Sequence, residues 1–386
     1  MEHIRHLSAA IGGRGSCTPA ERQAAEYAAG QMHALGLTRV RLEPYRGSPS
    51  TYRPFVLAFF AALLGTLLVW LAGGRWALAS ASVLSALGAW GMLAETDFAP
   101  NWMRLLLPKA DSQNAIGILR PAGTAQRRVV LCAHLDTHRT PVFYSSKTWN
   151  HLFGILVPGA FVSMAVATVA YGLGALLGWE GARWIGLAAA LVETFALGLC
   201  LSADFTPFSP GANDNASGVG AILALAQRLA AYPLRQTEVW LAFTGCEEVG
   251  SYGMAAFLDA HAAQLGTDTV YIILDQVGIG RLTYLTADGL ILKRRTHPRA
   301  LEMARSAAAA LPDLAVREQI GLAYTDALVA TKRGLIALTL NTLPAPGSGE
   351  TAYWHQMSDT LEHVDPQSLD AVHAFTWQIL QDIDRP

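Results

Sequence analysis

The sequence has 386 residues, enough for one large core or two domains. Only 15% are charged and 52% are hydrophobic, against ~25% charged in an ordinary soluble domain, which points to membrane segments inside an otherwise soluble chain. A formal charge of −2 with no basic block excludes a nucleic-acid surface.

The four cysteines, Cys17, Cys132, Cys200 and Cys246, are scattered and form no CxxC pair, so neither a zinc ribbon nor a disulfide framework is expected. Met1 to Arg53 is mixed and partly charged, without the apolar core of a signal peptide. Thr18-Pro19-Ala20-Glu21 opens an amphipathic helix, with Thr18 as N-cap, Pro19 at the first helical position and Glu21 closing a capping box. Gly36 fits its stop, and Val40 to Glu43 reads as a short strand.

The character then changes. Phe55 to Ala72 and Trp76 to Ala94 are uncharged apolar runs joined by Gly73-Gly74-Arg75. Each is close to the ~20 residues that cross a hydrocarbon core as a helix. Trp70, Trp76, Trp90 and Trp102 lie near the run ends, as in an aromatic belt. Soluble patterning returns with Asn114 to Leu119 and Arg128 to Ala133, two strands, the second ending in His134-Leu135-Asp136-Thr137-His138. A second apolar pair follows, Leu152 to Leu177 and Ile185 to Leu201, so the chain carries four candidate spans in two hairpins. Glu193 lies near the middle of the fourth span, where an ionisable group is expensive, and it should face another helix rather than lipid.

After Pro207 and Pro210, Gly211-Ala212-Asn213-Asp214-Asn215-Ala216-Ser217-Gly218 runs into a helix from about Val219 to Ala231. Glu238 to Phe243 is a buried strand, and Gly245-Cys246-Glu247-Glu248-Val249-Gly250 separates it from a helix at Tyr252 to Leu265. Val270 to Leu274 is another buried strand with Asp275 at its end. Strands at Leu282 to Thr286 and Leu335 to Leu340, and helices at Arg299 to Ala310 and Pro366 to Leu380, complete the pattern, with Tyr353 to Thr360 as a loop. Strands alternating with helices mean a largely parallel α/β sheet.

His134, Asp136, Asp214, Glu247, Glu248, Asp275 and His355 all sit at strand ends or in loops just after them. In an open α/β sheet that edge is where ligands bind. Each residue has an ordinary reading alone: an acidic turn at a helix N-terminus, a surface His-x-Asp pair, a Gly-rich turn, a helix cap. Together they are what two divalent metals need, with His nitrogen and carboxylate oxygen as ligands and a carboxylate bridging ions ~3.5–4 Å apart. One carboxylate of Glu247-Glu248 can hold a metal while its neighbour moves a proton.

His-x-Asp, Gly-Ala-x-Asp-Asn-x-Ser-Gly, Glu-Glu-x-Gly, strand-Asp and His-x-x-x-Asp-Thr occur here in one order. In this the chain resembles the co-catalytic di-zinc aminopeptidases of metallopeptidase family twenty-eight, which include bacterial leucyl aminopeptidases and glutamate carboxypeptidases. The likeness covers Gly13 to Ala29, Asn114 to Asp136, Pro210 to Leu258, Tyr271 to Gly278 and Tyr324 to Thr360.

The resemblance implies a mixed, largely parallel sheet flanked by helices, of the zinc-peptidase type, here interrupted by two transmembrane helical hairpins. The peptidase segments are then 1–54, 104–151 and 202–386, and the hairpins 55–94 and 152–201. It implies two zinc ions, with cobalt or manganese as alternatives. Asp214 bridges them, His134 and Asp275 complete one site, and Glu248 and His355 complete the other. Glu247 is the general base, and Asp136 fixes the His134 ring. Tyr324 and Asp326 lie near the substrate pocket, with Tyr324 the nearest candidate for an oxyanion partner. A cis peptide is implied between Asp214 and Asn215.

The activity implied is hydrolysis of N-terminal peptide bonds, with a peptide as substrate and the bilayer as partner. The alternatives are a glutaminyl-cyclase-like acyl transferase with a single zinc, or an inactive membrane scaffold on the same fold. The oligomeric state stays open. Both hairpins contain an even number of spans, so all soluble segments share one side. Arg53, Arg104, Lys109 and Lys147 flank the spans there, against Arg75 and Arg183 in the hairpin loops, which places the catalytic domain in the cytoplasm. Unpaired cysteines agree with a reducing compartment.

Overall fold

The apolar runs read as strands join one sheet in a computed structural model that describes residues 1–344 and 352–385. The part of the predicted 202–386 segment at 345–351, and residue 386, lie outside the described residues. The strands are β1 (Thr38–Gly47), β2 (Ala110–Leu119), β3 (Arg127–His134), β4 (Thr237–Thr244), β5 (Val270–Leu274), β6 (Arg281–Asp288), β7 (Arg294–Arg295), β8 (Arg317–Ile320) and β9 (Ile336–Leu343). Their order is β1-β2-β4-β3-β5-β9-β6-β7, with β8 added on β6.

The central four, β4-β3-β5-β9, are parallel. The flanks are mixed: β1, β2, β6 and β7 join by antiparallel pairs, while β8 runs parallel to β6. This is the mixed, largely parallel sheet of the sequence reading. The central strands are apolar on both faces because helices cover both; every residue of β5 is buried. The short β8, Arg-Glu-Gln-Ile, has no apolar alternation and was not predicted.

The chain divides into two compact units. One comprises residues 1–49, 109–139 and 207–386 and holds the sheet; the other comprises residues 50–108 and 140–206. In the sheet unit the main core is built from Val129, Leu131, Leu241, Phe243, Ile272 and Leu338 on strands, with Ala25, Ile222 and Phe375 on helices. Registers align the carboxyl ends, since His134 of β3 pairs with Thr244 of β4 and Leu274 of β5 with Leu340 of β9. That alignment sets His134, Asp275 and the Glu247 turn on one edge.

One local expectation is corrected. The helix does start at Pro19 and run to Ala34, and Thr18 Oγ1 accepts the Glu21 amide at 3.4 Å. Glu21 does not close the box on the Thr18 amide, which bonds to the Gly15 carbonyl instead. Its fully buried carboxylate accepts from the amides of Cys17 and Cys246 and from the Ser112 hydroxyl. A tertiary partner outcompetes the local one because its donors have no other acceptor at that depth.

The second unit is built on four long helices, Arg53–Ala72, Gly74–Thr96, Lys147–Leu177 and Ala182–Ala203. Among the described residues these are the helices long and apolar enough to cross a membrane. The third begins at Lys147, five residues before the predicted start, where Ser146 caps it. Helices approach closely at small residues: a Cβ on Gly65 would meet the Ala81 Cα at 2.9 Å. Aliphatic and indole side chains face outward, Leu71, Leu176, Leu191, Trp76 and Trp184 among them.

Polar groups lie within this unit. Glu193 is buried, as expected, yet its Oε1 has no hydrogen-bond partner. Tyr171 donates to Thr66 Oγ1 at 2.9 Å or accepts from it. At the helix ends Arg104 pairs with Glu95 at 2.6 Å and Arg53 with Asp204 at 2.9 Å.

Candidate metal centre

His134 ends β3, and its ring is oriented by the residue two further on. Nδ1 lies 3.0 Å from the Asp136 backbone carbonyl, which can only accept, so in the neutral ring Nδ1 carries the proton and Nε2 presents a lone pair. The Asp136 carboxylate is 3.6 Å from Nδ1. Its shorter bonds go elsewhere: it accepts from the Ser16 hydroxyl at 2.6 Å and from the amides of Glu247 and Glu248 at 3.0 and 3.1 Å. Asp136 therefore holds the His134 ring through its main chain and the Glu247-Glu248 turn through its side chain.

Asp214 stands between two histidines. Its Oδ1 is 3.2 Å from His134 Nε2 and its Oδ2 is 3.3 Å from His355 Nε2. Asp275, one residue past β5, brings Oδ1 to 3.5 Å from His134 Nε2. Glu248 Oε2 lies 3.3 Å from His355 Nε2. His134, Asp214 and Asp275 form one cluster of donor atoms within 4.8 Å of one another; Glu248 and His355 form a second with His138. The Asp214–Asn215 peptide is cis, as the family resemblance implied.

Buried neighbours hold this arrangement. The Asp359 carboxylate accepts the amides of Asn213 and Asp214 at 2.7 and 3.0 Å. Arg14, 1% exposed, donates to the carbonyls of Leu135, Pro210 and Gly211 and so ties the loop after β3 to the loop before Asp214. His138 stacks on His355, with ring centroids 3.8 Å apart, and its Nδ1 donates to the Arg139 carbonyl at 2.7 Å. The sequence reading placed Arg14 and Asp359 in family-like stretches without a role and gave His138 none. The contacts that bring them to the site, Arg14 with Leu135, Pro210 and Gly211, Asp359 with Asn213 and Asp214, and His138 with His355, span more than a hundred residues of chain, so no local pattern signals them.

Tyr324 donates its hydroxyl to the Glu248 backbone carbonyl at 3.2 Å, beside the second cluster. Asp326 is buried and accepts from Thr244 Oγ1 at 2.5 Å, so it sits behind the end of β4. Asp288 fixes the same loop by accepting the Thr325 amide and hydroxyl.

The electrostatics are those of a site that needs positive charge. Burial pushes Glu247 far up, opposed by His134 and reinforced by Glu248, Asp326 and Asp275. Burial and Asp214 raise Glu248 to about 7, against His355. Burial would lower His134, but its bonds to Asp136, Asp214 and Asp275 outweigh it and lift the ring well above its ordinary value. His355 rises to about 9 in the same way, with Glu248 and Asp214 overcoming burial. Asp214 is held low: burial opposes, and the two histidines win. A divalent cation would replace those ring protons and relieve the crowded carboxylates. Among the described residues the buried Glu247 Oε1 accepts no hydrogen bond, and the nitrogen and oxygen donors are those zinc takes, so the residues fit such an ion.

Residues 200–380 match the profile of peptidase family M28. The match covers a little under half of the chain. A probable lipoprotein aminopeptidase of Mycobacterium tuberculosis is 29% identical over 192 residues, 43% of this chain and 38% of the relative, so the match spans well under half of that protein. An aminopeptidase from Aneurinibacillus sp. strain AM-1 shares the fold with a TM-score of 0.60 at 16% identity, covering 100% of this chain and 93% of the other. A glutaminyl cyclase from Porphyromonas gingivalis superposes with a TM-score of 0.56 at 15% identity, covering 99% and 96%. At those identities the structural likeness speaks for the fold alone.

Proposed function

We propose that this chain is a membrane-anchored di-zinc aminopeptidase of the M28 type that hydrolyses N-terminal peptide bonds. The observation that carries the reading is the position of Asp214, one carboxylate oxygen toward His134 and the other toward His355. A bridging carboxylate between two nitrogen and oxygen donor sets is what a two-ion centre requires. Asp214, His134 and Asp275 would hold one ion, and Asp214, Glu248 and His355 the other. When bound, zinc supplies Lewis acidity and makes a water acidic enough to react at neutral pH.

The chain's own residues then do the following. Glu247 holds no structural hydrogen bond on Oε1 and is free to take a proton there from the attacking water and pass it to the leaving amine nitrogen. Asp136 keeps Glu247 and Glu248 in place through their amides. Tyr324 stands beside Glu248, where a phenolic hydroxyl can steady charge on the carbonyl oxygen. Asp326 supports the strand end from behind. Detergent-purified protein should hydrolyse aminoacyl-chromophore substrates, lose that activity to a chelator and regain it with zinc; cobalt or manganese restoring more would reassign the working metal. Failure of every metal to support hydrolysis would sink the reading.

Because the fold is also that of a glutaminyl cyclase, cyclisation of an N-terminal glutaminyl peptide is the second activity to assay. One zinc per chain with cyclisation and no hydrolysis would select it. For the membrane, we infer four spanning helices with the sheet unit on the cytoplasmic side, from the Arg53, Arg104, Lys109 and Lys147 flanks. The sheet unit should resist protease in intact cells and be cut after lysis; digestion from outside would reverse the orientation.

A further inference from the structure

Cys17 and Cys246 were read from the sequence as scattered and unpaired. The fold brings their sulfurs to 3.4 Å across 229 residues of chain. Both residues have backbone angles in the left-handed region, φ 61° and 52°, which non-glycine residues adopt only when the surroundings impose it. Here the surroundings are explicit. The two oxygens of the buried Glu21 carboxylate accept one amide from each cysteine, Oε2 from Cys17 and Oε1 from Cys246, both at 2.8 Å. Gly47 leaves the space the thiols occupy: a Cβ there would fall 2.7 Å from the Cys246 sulfur and 3.4 Å from that of Cys17. Cys246 is buried and Cys17 is half-buried.

The pair is wired to the metal centre from both ends. Cys246 directly precedes Glu247 and Glu248, and Ser16, directly before Cys17, donates to the Asp136 carboxylate that holds the amides of both glutamates. We propose that Cys17 and Cys246 form a reversible dithiol–disulfide modification site that switches the Glu247-Glu248 turn. The oxidant is a hydroperoxide. The Cys17 thiolate attacks its terminal oxygen, forming an S–O bond and breaking the O–O bond, and the alkoxide (hydroxide when the oxidant is hydrogen peroxide) leaves to give the sulfenic acid. The Cys246 sulfur then attacks the Cys17 sulfur; the S–S bond forms, the S–O bond breaks, and the hydroxyl leaves with the thiol proton as water. Two electrons pass from the thiols to the peroxide.

Closing the bond needs the sulfurs to approach by about 1.3 Å, since a disulfide is ~2.05 Å long. Glu21 ties both backbones, so the movement is shared between the two loops and reaches Glu247 and Glu248. A misplacement of ~1 Å at a reacting group costs about 10²-fold in rate, so the oxidised form should turn over about 10- to 100-fold more slowly. The switch rests on the proposed peptidase only for the turnover readout.

The test uses the full chain in detergent with zinc bound. Hydrogen peroxide is titrated in, free thiols are alkylated, and cysteine peptides are mapped while turnover and zinc retention against a chelator are followed. A Cys17–Cys246 linked peptide should appear, with Cys132 and Cys200 still thiols, together with the fall in turnover and a faster loss of zinc. Dithiothreitol should reverse all three. Cys17→Ser, and Cys17→Ala as a second variant, should leave the basal rate unchanged and abolish the response to peroxide. Peroxide that leaves both thiols separately alkylated, or carries Cys17 on to the sulfinic acid without a link, overturns the proposal. So does a linked peptide with turnover and zinc retention unmoved. Should the protein hydrolyse no peptide at all, the linkage and the zinc loss still decide the switch, and only the peptidase reading falls.

Discussion

Glu248 in the sheet unit and Leu191 in the helical unit depart from the usual distribution in opposite directions. The first is a carboxylate at 5% exposure, the second an aliphatic side chain at 69% exposure. In the sheet unit every buried acid around the metal centre sits among histidines, main-chain amides or hydroxyls. In the helical unit the outer surface of the helices is apolar; Glu193 faces inward, and Glu95 and Asp204 pair with arginine at helix ends. The difference is the one expected if, as proposed, the helical unit faces hydrocarbon and the sheet unit faces water. Burying charge is costly unless it is compensated, and the sheet unit concentrates that cost where a cation can repay it. Exposing leucine costs nothing in hydrocarbon.

The largest effect expected is at the carboxylate proposed to move the proton. Glu247→Gln should keep metal content near wild type and lower turnover by roughly two or more orders of magnitude. Retained turnover would mean that the crowding of acids has a purely structural role. A pair of lysine substitutions tests the solvent argument directly. Leu191→Lys should oppose insertion by about 2.5–3.5 kcal/mol, as charge does at the centre of a spanning helix, whereas Ile320→Lys on the exposed β8 should stay within about 0.5 kcal/mol. Equal small effects, measured as expression and stability in detergent and in vesicles, would show that the helical unit faces water.

A smaller effect separates holding metal from moving protons. Glu248→Gln should weaken zinc binding by about 10- to 100-fold, read by competition with a chelator. Unchanged affinity there would leave His355 and His138 as the donors of the second cluster. The smallest is a pH effect in the sheet unit. Burial, against the bonds from Thr325 and Gly289, raises Asp288 to about 7, so the folded state binds a proton that the unfolded chain releases near the ordinary carboxylate value. Stability from this group is therefore full below pH ~4 and is lost as pH rises toward 7, by roughly 1–2 kcal/mol between pH 5 and 7. Asp288→Asn should flatten that slope in thermal unfolding; an unaltered slope would assign it to another group.

His134, Asp214, Glu247, Glu248 and Asp275 could be read from the sequence because each follows an apolar run or a glycine-rich stretch whose local pattern marks a strand end or a turn. The four apolar helices were legible for the same reason: length and hydropathy are properties of a continuous segment. The contacts of Glu21 were not. A capping box predicts a bond three residues away, while the carboxylate took the amide of Cys246, 225 residues on, because buried donors compete for whatever acceptor the tertiary fold supplies. The same holds for Asp359 on the Asp214 amide, for Asp288 on Thr325, for His138 against His355 and for the meeting of Cys17 with Cys246. Strand order and register decide which ends of the chain become neighbours, and sequence periodicity carries no information about that order. The amino-acid sequence by itself determined which residues are candidates for the chemistry and which segments suit hydrocarbon. Only the tertiary structure decided what holds each of those residues still.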